Sequence, residues 1–121
     1  MHVVKGKSFY HRLKFALNGL RVAFQSEASF RAEIFVAVGV ISVTAWIHPP
    51  FLWLALVIIM VALVLAAELF NTALEHLLDG IHPEQADFVR VSKDCAAAAV
   101  LVFSVAAIVI FLLMLVDVYG K

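Results

Sequence analysis

Charged residues and cysteine are both scarce in this sequence. Lysine, arginine, aspartate and glutamate together make up 15% of its 121 residues, against about 25% in an average soluble domain. A single cysteine, Cys95, excludes an intramolecular disulfide and any cysteine-cluster zinc or iron–sulfur site. We therefore expect Cys95 to act as a small packing residue between helices.

Hydrophobic residues, by contrast, make up 64% of the chain, against about 45–50% in an average domain. A soluble domain of this length buries only about 60–70% of the surface that its unfolded chain exposes, so it could not hide this much apolar surface. The composition therefore predicts an integral membrane protein. Nine basic and nine acidic residues give zero net charge, which offers no argument for a nucleic-acid partner, and we expect none.

Three apolar runs predict three transmembrane helices. The runs cover residues 34–47, 51–67 and 95–116. Because a spanning helix needs about 20 residues, the predicted spans are 29–48, 51–70 continuing to 79, and 93–117. Pro49 and Pro50 lie between the first two runs, and proline both lacks a backbone N–H and disfavours helix in the residue before it. A tight turn is therefore predicted at residues 48–50.

The basic residues predict the orientation of these spans. Six precede the first apolar run, two lie between the second and third runs, none lies in the turn at 48–50, and the ninth is Lys121. Because cytoplasmic segments are rich in lysine and arginine, we expect a multi-pass membrane protein with its N-terminus in the cytoplasm and its C-terminus on the other side. Eight of the nine acidic residues fall on the same side. Zero net charge is thus a cancellation at one membrane face.

Residues 8–26 are predicted to form an amphipathic helix on the cytoplasmic membrane surface. Apolar residues recur at helical spacing along one side: Phe9, Leu13, Ala16, Leu17, Leu20 and Phe24. The opposite side carries His11, Lys14, Asn18, Arg21 and Gln25. For the basic residues, a purely electrostatic anchor is the alternative role. Since no repeat or linker divides the chain, residues 1–121 are interpreted as one domain of an all-α membrane protein.

A polar stripe follows the second apolar run. At 100° per residue, one helix face carries Glu68, Asn71, Thr72, Glu75 and Asp79. Glu68 directly follows seventeen apolar residues, and because carboxylates are costly in a membrane we interpret it as functional. A solvated helix face would explain Glu75 and Asp79 but not Glu68. Glu68 and Glu75 are about 10 Å apart along the helix axis, so we expect each to have its own task.

Lys93 and Asp94 lie directly before the third predicted span. Pro83 suits a first helical turn, which predicts a helix from about Glu84 onward. The alanines at 96–99 would let another helix approach closely, and this would bring Lys93 near the polar stripe. Alternatively, Lys93 extends to lipid phosphates and pairs with Asp94.

These residue types suit phosphate chemistry. Carboxylates and an amide are hard oxygen ligands for Mg²⁺, a lysine supplies charge for phosphate, and a further carboxylate can act as a general base toward a hydroxyl. Gly6-Lys7-Ser8 copies the end of a Walker A loop, but Met1 stands where the loop's first glycine is needed. A proton-coupled transporter using Glu68 is the rival interpretation, disfavoured because the carboxylates cluster at one membrane face.

Residues 68–75, Glu-Leu-Phe-Asn-Thr-Ala-Leu-Glu, resemble a motif of the prokaryotic diacylglycerol kinase family, Glu-x-x-Asn-[Ser/Thr]-Ala-[Ile/Leu]-Glu. Members are small three-span membrane kinases and include undecaprenol kinases. Residues 93–100 resemble the family's Lys-Asp-x-x-[Ala/Ser]-x-Ala-Val segment, and residues 19–21 and 27–33 match it in order and spacing. The resemblance covers nearly the whole chain.

The resemblance implies transfer of the ATP γ-phosphoryl group to a lipid hydroxyl at the cytoplasmic face, by a homotrimer with active sites shared between subunits. Glu68 would be the general base, Glu27 and Glu75 the Mg²⁺ ligands, and Asn71 and Asp79 supporting residues. The implied ATP-binding residues are Phe15, Glu27, Glu75, Glu84, Lys93 and Asp94. The implied lipid-binding residues are Glu68, Arg31 and Glu33.

Several positions bear on the acceptor lipid and on the nucleotide contact. Phe15 stands where a tyrosine is found in the enterobacterial pattern, Ala86 replaces a histidine, and Gly80 replaces a common arginine. Glu33 favours the diacylglycerol kinases, whereas Lys14 and the Ser8-Phe9 start resemble undecaprenol kinases. We expect diacylglycerol as the acceptor, giving phosphatidic acid, with undecaprenol as the alternative.

Overall fold

The computed structural model describes residues 8–120 of the chain, which form four helices and their connections. The helices are α1 (Phe9–Ser26), α2 (Ala28–Ile47), α3 (Phe51–Ile81) and α4 (Asp87–Tyr119). Lys5, Lys7 and Lys121, which contribute to the predicted orientation, and Met1 and Gly6 of the Walker-like comparison lie outside the described residues.

Helices α2, α3 and α4 are each long and apolar enough to cross a membrane. At 1.5 Å per residue, α3 and α4 extend for about 46–50 Å, which exceeds the roughly 30 Å of a bilayer's hydrocarbon core. Both helices therefore continue beyond it. Large apolar side chains such as Phe35, Trp46, Phe70 and Leu101 are exposed, as expected for faces that meet lipid or other membrane helices. The predicted class, an all-helical membrane protein, is confirmed.

Short non-helical segments separate α2 from α3 and α3 from α4. His48 ends α2 in a left-handed conformation (φ 57°), and the prolines after it cannot continue the helix, so α3 starts at Phe51. Helix α4 starts at Asp87, three residues later than the expected start near Glu84, because Ala86 is extended (φ −152°, ψ 155°). Pro83 consequently lies in the connecting loop.

Helix α3 is the centre of the molecule. It packs most extensively against α4, then against α2, and α1 touches both α2 and α3. Phe30, Thr44 and Met114 are the largest fully buried side chains. The indole Nε1 of Trp53 donates a hydrogen bond of 2.8 Å to Asp117 Oδ2, which joins α3 to α4 at the end of the bundle that carries the turn at 48–50.

Little of α1 is covered by the rest of the chain. Of its residues only Ala23 is buried, and the apolar side chains of Leu13, Leu17 and Leu20 are exposed. Cys95 is exposed on α4, so a role in helix packing would need a helix of another subunit, and that role stays a prediction.

Candidate functional site

Glu68 is a buried carboxylate on α3, with 5% of its surface exposed. The Ser29 hydroxyl, in the first turn of α2, donates a hydrogen bond of 2.7 Å to Glu68 Oε1. A second carboxyl, that of Glu33 on α2, lies beside Glu68. Glu33 Oε2 is buried without a hydrogen-bond partner among the described residues, which is costly unless something else supplies one. Two adjacent acidic groups thus meet where α2 packs on α3.

The polar stripe continues from Glu68 along α3. Thr72, 6% exposed, is buried. The Asn71 Oδ1 and Thr72 Oγ1 atoms are buried and unpartnered within the described part of the chain. Because buried polar groups are nearly always satisfied in native proteins, these oxygens mark a place where a ligand, a water molecule or another subunit completes the structure.

Four charged groups surround Glu75, farther along the same helix. The carboxylates of Glu27, Glu68 and Asp79 and the Lys93 ammonium are close enough to interact electrostatically with Glu75. Lys93 Nζ donates a hydrogen bond of 2.7 Å to Asp79 Oδ1, which ties α4 to α3. Chain segments distant in sequence therefore meet in one cluster.

The backbone places Glu27 in this cluster. Glu27 is the one residue between α1 and α2, and its extended conformation (φ −118°, ψ 108°) breaks the helix there. Its N–H donates to the Ala23 carbonyl (2.9 Å), and its own carbonyl accepts from the Arg31 N–H (3.2 Å). Glu27 therefore caps both helices, and its side chain reaches the vicinity of Glu75.

A cavity of about 430 Å³ lies at the start of α4. Its polar lining residues are Gln85, Asp87, Arg90, Lys93 and Asp94. Arg90 pairs with Asp87 (3.6 Å) and Asp94 (3.5 Å) on its own helix. Lys93 instead bonds Asp79 on the polar stripe of α3, which agrees with the prediction that it lies near that stripe and not with its pairing to Asp94. Sequence reasoning missed Arg90, although its spacing of three and four residues from two aspartates was visible.

The remaining predicted site residues are Phe15, Glu84 and Arg31. Phe15 is in the middle of α1. Glu84 is in the loop between α3 and α4, where its carboxylate lies 3.6 Å from His82 Nδ1. Arg31 Nη1 donates to the carbonyls of Phe24 (2.8 Å) and Gln25 (3.0 Å). The Arg31 guanidinium thus stabilises the C-terminus of α1.

Within residues 8–120, no three His, Cys, Asp or Glu side chains are grouped so that they could hold a metal ion by themselves. The carboxylates of Glu27 and Glu75 nevertheless interact electrostatically. Mg²⁺ is commonly held by one or two carboxylates together with substrate phosphates, rather than by an all-protein cage. The residues present therefore fit an ion that binds together with a nucleotide.

A small multi-pass membrane protein with a carboxylate and lysine cluster at one end of its helices is the class that this fold and site define. Residues 14–115 match the sequence model of the family described as prokaryotic diacylglycerol kinase. The chain belongs to this family of bacterial membrane kinases. The resemblance noted at residues 68–75 and 93–100 is confirmed at the level of the family.

Named relatives include two kinds of lipid kinase. The chain is 33% identical over 98 residues to a diacylglycerol kinase of Synechocystis, covering 80% of this chain and 56% of that protein. It is 36% identical over 89 residues to a diacylglycerol kinase of Haemophilus influenzae, covering 74% of this chain and 75% of the relative. An undecaprenol kinase of Bacillus subtilis is 29% identical over 108 residues, 89% of this chain and 85% of the relative.

Proposed function

We propose that this protein is a lipid kinase that transfers the γ-phosphoryl group of Mg-ATP to the hydroxyl of diacylglycerol and so produces phosphatidic acid. The observation that carries the proposal is the Glu68 carboxylate. It is buried at the end of the apolar segment of α3, and Ser29 holds one of its oxygens at 2.7 Å. A general base that acts on a lipid hydroxyl must lie at the depth where the headgroup meets the acyl chains, and the end of an apolar helical segment is such a position.

Glu68 acts as the general base in the proposed reaction. It accepts the proton of the lipid hydroxyl while the hydroxyl oxygen forms a bond to the γ-phosphorus. The bond from that phosphorus to the bridging oxygen breaks, and ADP leaves. Ser29 fixes the carboxylate so that an oxygen is correctly oriented for the proton, and Glu33, beside Glu68, and Arg31 contact the lipid headgroup.

The nucleotide occupies the cluster between α3 and α4 in this proposal. Lys93, held by Asp79 at 2.7 Å, neutralises phosphate charge, and Phe15, Glu84 and Asp94 contact the nucleotide. Glu27 and Glu75 hold the Mg²⁺ that accompanies ATP, with Asn71 and Asp79 in support. The bound ion supplies charge neutralisation for the phosphate oxygens during transfer.

The proposed site lies at the cytoplasmic face of the inner membrane, with the N-terminus in the cytoplasm. The segregation of eight of nine basic residues to that side supports this orientation. The exposed apolar side chains of α1 support a position flat on the membrane surface. We further propose a homotrimer, supported by the exposed small residues Ala97, Ala98 and Ala99 on α4, which allow close helix approach.

The test is phosphorylation of diacylglycerol by the purified protein in mixed micelles with Mg-ATP. Glu68→Gln keeps the shape of the side chain but removes the base, so we expect kcat to fall by about 10²–10⁴-fold. Asp117→Asn is the matched control. It makes the same carboxylate-to-amide change at the far end of the bundle, and its amide oxygen still accepts from Trp53, so we expect nearly wild-type activity. Wild-type turnover by Glu68→Gln would disprove the assignment.

Undecaprenol is a second candidate acceptor. The similarity to the Bacillus subtilis undecaprenol kinase, over 89% of this chain, favours it specifically. The proposed chemistry is the same, because undecaprenol also presents a hydroxyl at the headgroup level of the membrane.

A further inference from the structure

The loop between α3 and α4 connects the two parts of the proposed nucleotide site. Asp79, which holds Lys93, lies three residues before His82, the first residue after α3. Gln85 and Ala86, at the other end of the loop, line the cavity at the start of α4. The conformation of this short loop therefore sets the shape of one wall of the cavity.

His82 makes three contacts that fix the loop. Its backbone N–H donates to the Leu78 carbonyl at 2.8 Å and continues the hydrogen bonding of α3. Its Nδ1 lies 3.0 Å from the Glu84 carbonyl oxygen, and since a carbonyl can only accept, Nδ1 is the donor. Its ring meets Phe88 edge to face, with centroids 4.8 Å apart and planes at 72°, an arrangement favoured between aromatic rings.

Through these contacts His82 joins three consecutive segments of the chain. The backbone of His82 belongs to the end of α3, Glu84 to the middle of the loop, and Phe88 to the first turn of α4. Glu84 and Phe88 are themselves largely exposed, so little other packing restrains them. The His82 imidazole is the main restraint on the loop that the described residues provide.

We infer that His82 is a positioning residue for the nucleotide: it holds residues 84–86 against the start of α4, so that the cavity containing Arg90, Lys93 and Asp94 exists before the nucleotide binds. The inference rests on the proposed kinase function. His82 itself is not among the residues that line the cavity. It acts through the loop. Because His82 already orders the loop, nucleotide binding loses less conformational entropy than it would if the loop had to be ordered at that moment.

Two variants separate the hydrogen bond from the ring contact. His82→Phe keeps a ring against Phe88 but loses the donor to the Glu84 carbonyl, whereas His82→Asn places an amide N–H near the position of Nδ1. One neutral hydrogen bond changes an equilibrium by roughly 2- to 10-fold. We therefore expect His82→Phe to weaken binding of a non-hydrolysable ATP analogue by that factor, measured by titration calorimetry on the detergent-solubilised full chain, and His82→Asn to restore most of the affinity.

Steady-state kinetics and hydrogen exchange give independent readouts. In His82→Phe, KM for ATP should rise by the same factor as the binding constant, while kcat and KM for the lipid stay at wild-type values. Amide exchange of residues 84–86 should be faster. His11→Phe is the matched control, because His11 is an exposed histidine on α1, and it should change none of these quantities.

Clear outcomes would overturn the inference. Unchanged analogue affinity in His82→Phe, an equal rise in KM for the lipid, or failure of His82→Asn to restore binding would each do so. If His82→Phe does not fold, His82→Leu, which also lacks the donor to the Glu84 carbonyl, should speed exchange in the loop and weaken nucleotide binding. Unchanged binding in that variant also rejects the inference. Absence of lipid phosphorylation by the wild-type protein would reject the proposed function itself.

Discussion

A single hydroxyl orients the carboxylate at the centre of the site. Ser29 and Glu68 are 39 residues apart, yet Ser29 Oγ lies 2.7 Å from Glu68 Oε1 in a part-buried contact. A hydrogen bond to a charged group contributes about 1.5–3 kcal/mol. Without the Ser29 donor, the Glu68 carboxylate should spend less time in the orientation needed for proton transfer and should form hydrogen bonds with other groups.

We expect Ser29→Ala to lower kcat by about tenfold or more while leaving KM for ATP unchanged, because the nucleotide cluster lies farther along α3. Initial rates with diacylglycerol at saturating Mg-ATP measure this effect. Ser26→Ala is the control, since the Ser26 hydroxyl bonds only the Val22 carbonyl of its own helix at 2.7 Å. A kcat equal to that of the wild type would show that Ser29 does not orient the base.

The ends of the helices, more than their interiors, determine the positions of the site residues. The extended conformation of Glu27 breaks the chain between α1 and α2 and brings its carboxylate near Glu75. His48 reverses the chain at the opposite end of the bundle by adopting a left-handed conformation with φ 57°. A residue without β-branching tolerates this region, and glycine does so best.

His48 therefore provides a test of the α2–α3 turn. We expect His48→Val to destabilise the protein by about 1–3 kcal/mol relative to His48→Gly, because a β-branched side chain is strained at positive φ. Thermal unfolding followed by circular dichroism in detergent gives the comparison. Trp46→Phe is the control, since Trp46 is an exposed side chain in the regular helix of the same segment. Equal stability of the two His48 variants would contradict the strain that φ indicates.

At the scale of the whole molecule, the outer surface of the bundle is apolar along the membrane-spanning segments of α2, α3 and α4. Side chains such as Val36, Ile59, Leu101 and Leu112 are exposed along these helices. Apolar surfaces of this kind bind lipid chains by non-directional contact, whereas the carboxylate cluster can recognise the hydroxyl. The carboxylate cluster therefore determines the class of reaction, and the apolar helix surfaces determine which lipid is accepted.

Initial rates with diacylglycerol and with undecaprenol, compared in the same detergent at matched mole fractions, decide between the two acceptors. We expect the higher kcat/KM with diacylglycerol, because the carboxyl of Glu33 beside Glu68 can, in its protonated form, donate a hydrogen bond to an ester carbonyl, a group that undecaprenol lacks. Glu33→Leu removes this donor and should reduce the preference. A higher kcat/KM with undecaprenol would make that lipid the acceptor, and activity with neither would reject the lipid kinase.

Much of the fold could be predicted from the sequence, because the physical causes are local. Three apolar runs that reach about 20 residues once their flanking residues are included, and the prolines at 49 and 50, are sufficient to indicate three membrane-spanning helices and one sharp reversal. Helical periodicity likewise placed Glu68, Asn71 and Glu75 on one face without reference to any neighbour. The start of α4 was predicted three residues too early, since the conformation of residues 82–86 depends on the side-chain contacts of His82.

The sequence by itself determined the membrane class, the one-sided distribution of charge and the polar stripe of α3, since each depends on composition or on spacing within one segment. Only the tertiary structure determined which side chains on different helices pair with each other. It paired Ser29 with Glu68 and Asp79 with Lys93. Distances between side chains on different helices depend on how those helices pack, which the periodicity of any single helix does not specify.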